Sequence, residues 1–433
     1  VQVEPWLTRA ARRRADHIAV ETPERSLTYR QLDRLAGAGA GELGVAPGSR
    51  VAIALAPGVD FVVALHACLR AGAVAVPIDL REPSPLEGRP YDAVIDEPLR
   101  CVGPAVAAGP HELDSVALLV RTSGTSARPR EVPLTYGNFL WSAIGSAVAL
   151  GSDPADRWLC TLPLVHVGGL SIVLRSAIYA TTAVIHERFS ADEVVGALME
   201  RDISLVSVVA TTLRRLLDAG LAAPPALRCA LAGGGPVPEA LIERAREARV
   251  VVSQTYGLTE ACSQVATQRP GEGAPNCGPP LFCTRVRVSE DGEILVSGPT
   301  VSPGVDGGLL ATGDLGSIAA DGSLTVIGRR SETIVSGGEN VAPAEVEAVL
   351  EQHPAVIEAG VYGARDERWG EAVHAVVVTR SPVVAAELLA HCRSRLPGFK
   401  VPKRVDFVAS LPRTASGKLQ RFALGVDDDR TRS

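Results

Sequence analysis

The chain has 433 residues, 46% of them hydrophobic and 21% charged, with a formal net charge of −6. That length suits two or three domains, and that apolar content excludes disorder for most of the chain. The acidic balance and an aromatic content of 4% argue against nucleic acid as the main partner, because phosphate binding needs a basic face and bases need stacking surfaces.

The N-terminal stretch VQVEPWLTRAARRRAD has no apolar core before a small-residue cleavage site. No signal peptide is therefore expected. No apolar run of about 18 residues is free of charge and proline, so no integral membrane segment is expected. Val51 to Leu55 reads as a strand and Asp60 to Ala71 as a helix, with Phe61, Leu65 and Leu69 at helical spacing. Strands are then expected at Val74–Ile78, Val116–Val120, Arg157–Leu162, Thr182–His186, Leu205–Val209 and Val250–Gln254. Helical stretches between them imply a largely parallel sheet covered by helices. After about residue 285 the texture changes to short strands, Arg285–Ser289, Glu293–Ser297 and Leu324–Ile327, separated by Gly and Asp turns. Pro343 opens a helix with acidic residues in its first turns. Strands at Ala359–Tyr362, Ala372–Val378 and Arg404–Val408, with a helix over Val384–Arg395, complete a second compact domain. The tail GVDDDRTRS is expected to fray.

The expected fold class is therefore α/β with mixed α+β elements. Residues 1–329 form a large domain of parallel-rich sheets packed with helices plus a β subdomain, and 330–433 a small α+β domain. The eight cysteines form no C-x-x-C pair and lie in apolar stretches. They read as buried thiols in a reducing cytoplasm, with zinc not expected.

Four segments carry chemistry. RTSGTSARPRE (121–131) follows a strand and offers hydroxyls and a backbone able to wrap an anion, although it has no Walker G-K-[ST]. Its plain alternative is a polar surface turn. In QTYGLTEACSQ (254–264), Thr259 and Glu260 could together hold a phosphate oxygen and Mg²⁺. The alternative there is a turn followed by a capped helix. In ATGDL (311–315), Asp314 could accept from two ribose hydroxyls, or simply shape an Asp turn between strands. LPRTASGKLQ (411–420) ends a loop in Lys418, otherwise a solvated lysine.

Taken together, T-S-G-T (122–125), Y-G-L-T-E (256–260), T-G-D (312–314), Gly328-Arg329 and S-G-K (416–418) occur in the order of one family. The chain resembles the adenylate-forming superfamily of acyl- and aryl-CoA ligases over nearly its whole length. The stretches 162–190, 254–264 and 329–356, above all the Ser-Gln after T-E-A-C and the Ser-Gly-Gly-Glu-Asn run, look most like o-succinylbenzoate–CoA ligases of menaquinone biosynthesis.

The resemblance implies two half-reactions. A carboxylate attacks the α-phosphorus of ATP, and the thiol of coenzyme A then displaces AMP from the acyl-adenylate. It implies that Thr122, Ser123, Gly124, Thr125 and Ser126 cradle the β- and γ-phosphates, that Thr259 holds the α-phosphate and that Glu260 holds Mg²⁺. Gly233, Gly234, Gly235 and Pro236 would lie along the adenine, Tyr256 would stack near it, and Asp314 would bind the ribose with support from Arg329. Lys418 would bridge the carboxylate and α-phosphate. Ser331 would be the hinge of a mobile second domain, and Gly337 and Gly338 would line the pantetheine tunnel.

His166 reads either as a hydrogen-bonded core histidine or as a residue beside the acyl pocket. Arg175 is a lone charge in the apolar run LSIVLRSAIYA, and a buried arginine needs an anion. A structural Asp or Glu and a second substrate carboxylate are the two readings, and Ser263 and Gln264 could orient the acyl chain. The phosphate loop departs from the family's Gly-x-Pro-Lys-Gly: Ala127, Pro129, Arg130 and Glu131 stand there. Glu131 is expected to add negative charge near a polyphosphate. Expected partners are a small carboxylic acid, ATP and CoA, with no nucleic acid and no integral membrane; a homo-oligomer is left open. Alternatives are a CoA ligase for another aryl or acyl acid, a module loading a separate acyl-carrier protein, and a degenerate binding protein.

Overall fold

The computed structural model describes residues 1–433 except 83–84, 88–89, 123–129, 415–418 and 426–433. Two parallel-rich sheets dominate. In the first, the strands run in space Ala93–Ile95, Arg50–Ile53, Val74–Pro77, Val116–Thr122 and Arg130–Thr135, with only the last antiparallel to its neighbour. In the second the order is Ser263–Thr267, Val252–Leu258, Cys229–Ala232, Leu205–Val208, Arg157–Cys160, Thr182–Ile185, Ile18–Glu21 and Ser26–Thr28. Its six inner strands are parallel and its two edge strands antiparallel. Thr182–Ile185, Leu205–Val208 and Cys229–Ala232 are buried at every residue, as strands covered on both faces must be.

The helices Val59–Arg70 and Val167–Tyr179 are apolar nearly all round, which is the pattern of a helix with no solvent face. Their side chains share one core with Val51, Ile53 and Leu118 of the first sheet and Trp158, Cys160 and Ile185 of the second. They therefore form a helical layer between the sheets. The opposite face of the second sheet, through Leu159, Val184, Val206 and Ala230, packs on Val194, Leu213 and Leu241 of three outer helices. Thr28 with Gln31, and Thr135 with Asn138, form reciprocal capping boxes that start the helices Tyr29–Leu43 and Tyr136–Leu150.

A four-stranded antiparallel sheet, Arg285–Val288, Glu293–Ser297, Leu309–Ile318 and Leu324–Arg329, shares a core with Tyr256, Ala261 and Val265. The final sheet contains Ile334–Ser336, Glu339–Val341, Val356–Asp366, Gly370–Thr379 and Arg404–Phe407, and has its own core with the helices Pro343–Glu351 and Ala385–Arg393. All eight cysteines are free, five buried and three half-buried. Among the described residues no helix is long and apolar enough to cross a membrane.

Two plain alternatives fall away, and Glu131 has a partner that the sequence did not show. The segment after Tyr256 is not a capped helix: a single 3₁₀ turn, Thr259–Ala261, links two antiparallel strands of a hairpin. Asp314 lies inside the strand Leu309–Ile318, not in a turn between strands. Glu131 sits in the edge strand Arg130–Thr135, where its carboxylate accepts from Arg50 Nη2 at 2.7 Å. Its charge is therefore partly met by Arg50.

Candidate active site

The candidate residues gather where the parallel strands end. In sheets of this kind, ligands bind outside the carboxyl ends of the strands. His166 follows the strand Arg157–Cys160, Gly233 to Pro236 follow Cys229–Ala232, Thr259 and Glu260 follow Val252–Leu258, and Thr122 ends Val116–Thr122. Gly233 is buried, with its N–H on the Val208 carbonyl at 3.1 Å, while Gly234, Gly235 and Pro236 are exposed.

The hairpin Val252–Thr267 meets the β subdomain at Asp314. The Tyr256 hydroxyl donates to Asp314 Oδ2 at 2.6 Å, and Arg329 Nε lies 2.8 Å from Oδ1. Burial pushes the Tyr256 phenol up, and the Asp314 charge reinforces it. Tyr256 therefore stays a donor at any ordinary pH. Asp314 is 5% exposed, and an ionised carboxylate has about four acceptor sites. Two are taken by these partners, which leaves sites for two further donors. The structure thus brings Tyr256, Asp314 and Arg329 together.

Gly257 explains itself by crowding. A Cβ there would lie 1.8 Å from the Ser263 carbonyl oxygen, where the hairpin shifts register. Only glycine allows that approach, which throws Thr259 and Glu260 onto the turn. The Glu260 carboxylate is half-buried and has no hydrogen-bond or ion-pair partner among the described residues. Among them no group of three or more His, Cys, Asp or Glu could hold a metal by itself. A lone available carboxylate fits Mg²⁺ shared with phosphate oxygens and water, and does not fit an all-protein cage.

Arg175 is 3% exposed on the helix Val167–Tyr179. Its Nη2 donates to Ser142 Oγ at 2.9 Å, and Ser142 donates onward to the Cys262 carbonyl at 2.7 Å. Trp158 lies 5.8 Å from the guanidinium carbon, and Nε has no partner. Burial pulls this guanidinium below its ordinary value. No Asp or Glu pairs with it among the described residues, so the structural-carboxylate reading fails there. Gln264 is buried, with Nε2 on Thr267 Oγ1 at 2.9 Å and Oε1 unpartnered; Ser263 takes a positive φ of 87° beside it.

His166 is half-buried and precedes the helix Val167–Tyr179. It acts on Asp79, a residue the sequence reading missed, at the end of the strand Val74–Pro77. Hydrogen bonds from Arg81 at 2.7 and 2.6 Å hold the Asp79 carboxyl below the usual range, and His166 adds to the pull. An acidic residue directly after an apolar strand was the available signal. Ser142 was missed too; its only trace is Ser142 and Ser146, four apart in an apolar helix.

Ser331 is exposed in the 3₁₀ turn Arg330–Glu332. Arg330 on one side pairs with Asp291, and Glu332 on the other pairs with Arg421 at 2.6 Å. Gly337 and Gly338 form an exposed turn at φ 62° and 86°. Gly337 bonds the Trp369 carbonyl at 2.8 Å, and no hydrogen bond or ion pair joins either glycine to Tyr256, Asp314 or Glu260. Ser123, Gly124, Thr125, Ser126, Ala127, Pro129 and Lys418 lie outside the described residues. A cavity of about 560 Å³ opens at Trp6, Arg9, Leu140, Ile144, Ile178 and Tyr179. It contains none of the candidate residues.

The sequence matches the AMP-binding enzyme family over residues 7–86 and 82–305, and the AMP-binding enzyme C-terminal domain over 345–418. The 2-succinylbenzoate–CoA ligase of Bacillus licheniformis is 39% identical, over 97% of this chain and 98% of that protein. The Bacillus subtilis o-succinylbenzoate CoA synthetase in complex with its acyl-adenylate intermediate superposes with a TM-score of 0.88, at 35% identity over 98% of both chains. A double mutant of the same enzyme bound to a product analogue gives only 0.72, at 36% identity and the same coverage. Identity and coverage being equal, this chain superposes better on the adenylate complex than on the product-analogue complex. The chain belongs to the AMP-binding enzyme family.

Proposed function

We propose that the chain is an AMP-forming carboxylate–CoA ligase that converts o-succinylbenzoate, ATP and CoA to o-succinylbenzoyl-CoA, AMP and diphosphate in menaquinone biosynthesis. Full-length likeness to ligases of that activity, at 36–39% identity, carries the reading. In the first half-reaction a substrate carboxylate oxygen bonds to the α-phosphorus and diphosphate leaves. In the second the CoA sulfur bonds to the acyl carbon, its proton is lost and AMP leaves. Neither step needs a covalent enzyme nucleophile, so the residues work by positioning and charge stabilisation.

In this proposal Asp314, oriented by Tyr256 and Arg329, accepts from the ribose hydroxyls, and Gly233 to Pro236 leave room for the purine beside the Tyr256 ring. Thr122 to Ser126 and Thr259 bind the phosphates. Glu260 holds Mg²⁺, which supplies neutralising charge to the phosphate oxygens when bound. Lys418 offsets charge that builds during adenylation. Arg175 grips the substrate's second carboxylate, with Ser263 and Gln264 orienting the chain between and His166 lining the acyl pocket. The domain boundary lies at 329/330, Ser331 is the hinge, and Gly337 and Gly338 line the pantetheine path. A cytoplasmic setting belongs to the same proposal, supported by eight free cysteines.

The test is incubation with ATP, Mg²⁺ and CoA, with and without o-succinylbenzoate, read by mass spectrometry. The expected product is o-succinylbenzoyl-CoA with equimolar AMP. Turnover of another acid alone would overturn the substrate.

A further inference from the structure

We propose that Arg214 is a positioning residue for adenylation, holding the C-terminal unit in place through Glu351, Ile357 and Glu358. The inference rests on the two half-reactions above but concerns a residue outside the nucleotide and acyl sites. Arg214 lies on the helix Ala210–Asp218, on the outer face of the second sheet. Its side chain is 13% exposed. The guanidinium donates to the Ile357 carbonyl and lies 3.5 Å from Glu358 Oε1 and 3.8 Å from Glu351 Oε2. Among the described residues these are the ion pairs that join the chain ahead of Ser331 to the chain beyond it. Arg330 pairs back toward Asp291 and Glu293, and Arg421 pairs with Glu332 and Glu347 inside the C-terminal unit.

Glu358 passes the contact on. Its second oxygen accepts from Arg413 Nη2 at 2.5 Å. Arg413 bridges to Leu419, and the Gln420 N–H donates to the Pro412 carbonyl at 2.9 Å. These contacts close the base of the loop whose sequence contains Lys418. Arg214 is thus linked through one carboxylate to the base of that loop. This chain superposes on a relative's adenylate complex with a TM-score of 0.88 and on that relative's product-analogue complex with one of 0.72. In another arrangement the largely buried Arg214 and Glu351 would have to find new partners, while Glu358 would keep only Arg413. A partly buried pair broken at one end costs far more than an exposed one. The contact therefore favours the arrangement for the first half-reaction only.

The experiment compares wild type, Arg214→Gln, Arg214→Lys and, as a control in an exposed pair with Asp218, Arg244→Gln. Three quantities are measured: acid-dependent ATP–pyrophosphate exchange, thioester formation from pre-made acyl-adenylate, and amide exchange across 351–359. Arg214→Gln is expected to slow pyrophosphate exchange by roughly 10- to 100-fold, the loss of a charge-assisted contact. Thioester formation should stay within about twofold, and amide exchange at 351–359 should rise. Arg214→Lys should recover part of the first effect, and Arg244→Gln should match wild type. Equal loss in both half-reactions, or unchanged exchange with unchanged amide protection, overturns the proposal. If wild type exchanges pyrophosphate only with a different acid, the substrate reading fails and the comparison is made with that acid. If it exchanges with none, the ligase reading and the adenylation role of Arg214 both fall.

Discussion

Replacing Arg175 with Met tests whether its cation serves the ligand or the fold. Arg175 is 3% exposed, has one hydrogen bond, to Ser142, and pairs with no carboxylate among the described residues. Losing that bond costs about 1.5–3 kcal/mol, whereas a buried ion without a counter-charge is disfavoured by several kcal/mol. Methionine fills much of the same volume against Trp158, so the melting temperature of Arg175→Met should hold or rise. Activity should move the other way. Loss of a two-point guanidinium–carboxylate contact should lower kcat/KM for o-succinylbenzoate by about 10- to 100-fold, or roughly 1.4–2.8 kcal/mol. The assay pairs thermal melts with adenylation kinetics on o-succinylbenzoate and on the analogue lacking the second carboxylate. Wild type should discriminate strongly between them and Arg175→Met should not. A variant that loses both activities equally, or melts well below wild type, would refute the argument.

Lys418→Ala should cripple adenylation and spare thioester formation from pre-made acyl-adenylate; equal loss in both, read by single-turnover assays, would count against its role. Gly257→Ala should destabilise the hairpin by more than about 3 kcal/mol, because the new Cβ meets the Ser263 carbonyl oxygen at 1.8 Å; thermal melting checks it. Glu351 gives a pH dependence. Burial raises its carboxyl from 4.5 to about 7, against the pull of Arg214. The native state therefore keeps a proton that the unfolded chain releases above pH 4.5, and this contribution is complete below that pH and lost as pH rises through 7. The effect is bounded at about 3 kcal/mol. Glu351→Gln should flatten the fall in stability across that window, and parallel wild-type and variant curves would sink the assignment.

Strands built from β-branched runs were legible: VAVP at 74–77 and LVSV at 205–208 lie where the apolar pattern put them. Cys229–Ala232 was not, because CALA has little intrinsic strand preference and is extended only by its two parallel neighbours. Arg130–Thr135 hid behind Pro133, which a sheet tolerates here because the strand is an edge. The same asymmetry holds for the site. Arg175 stood out as a charge in an apolar helix, yet its missing carboxylate is a tertiary fact. The Tyr256–Asp314 bond joins residues 58 apart; each motif was visible, but not the hydrogen bond joining them.

The anchoring on either side of Ser331 has a consequence for timing. With Arg330 paired to Asp291 and Glu332 paired to Arg421, Ser331 alone separates the two paired residues. In the proposed hinge motion, so short a tether would keep the small domain from diffusing away. Each face of that domain would then be presented at an effective concentration that a flexible linker of ten or twenty residues would dilute as roughly the −3/2 power of its length. The proposed swivel would be unimolecular, with a frequency independent of how much protein is present.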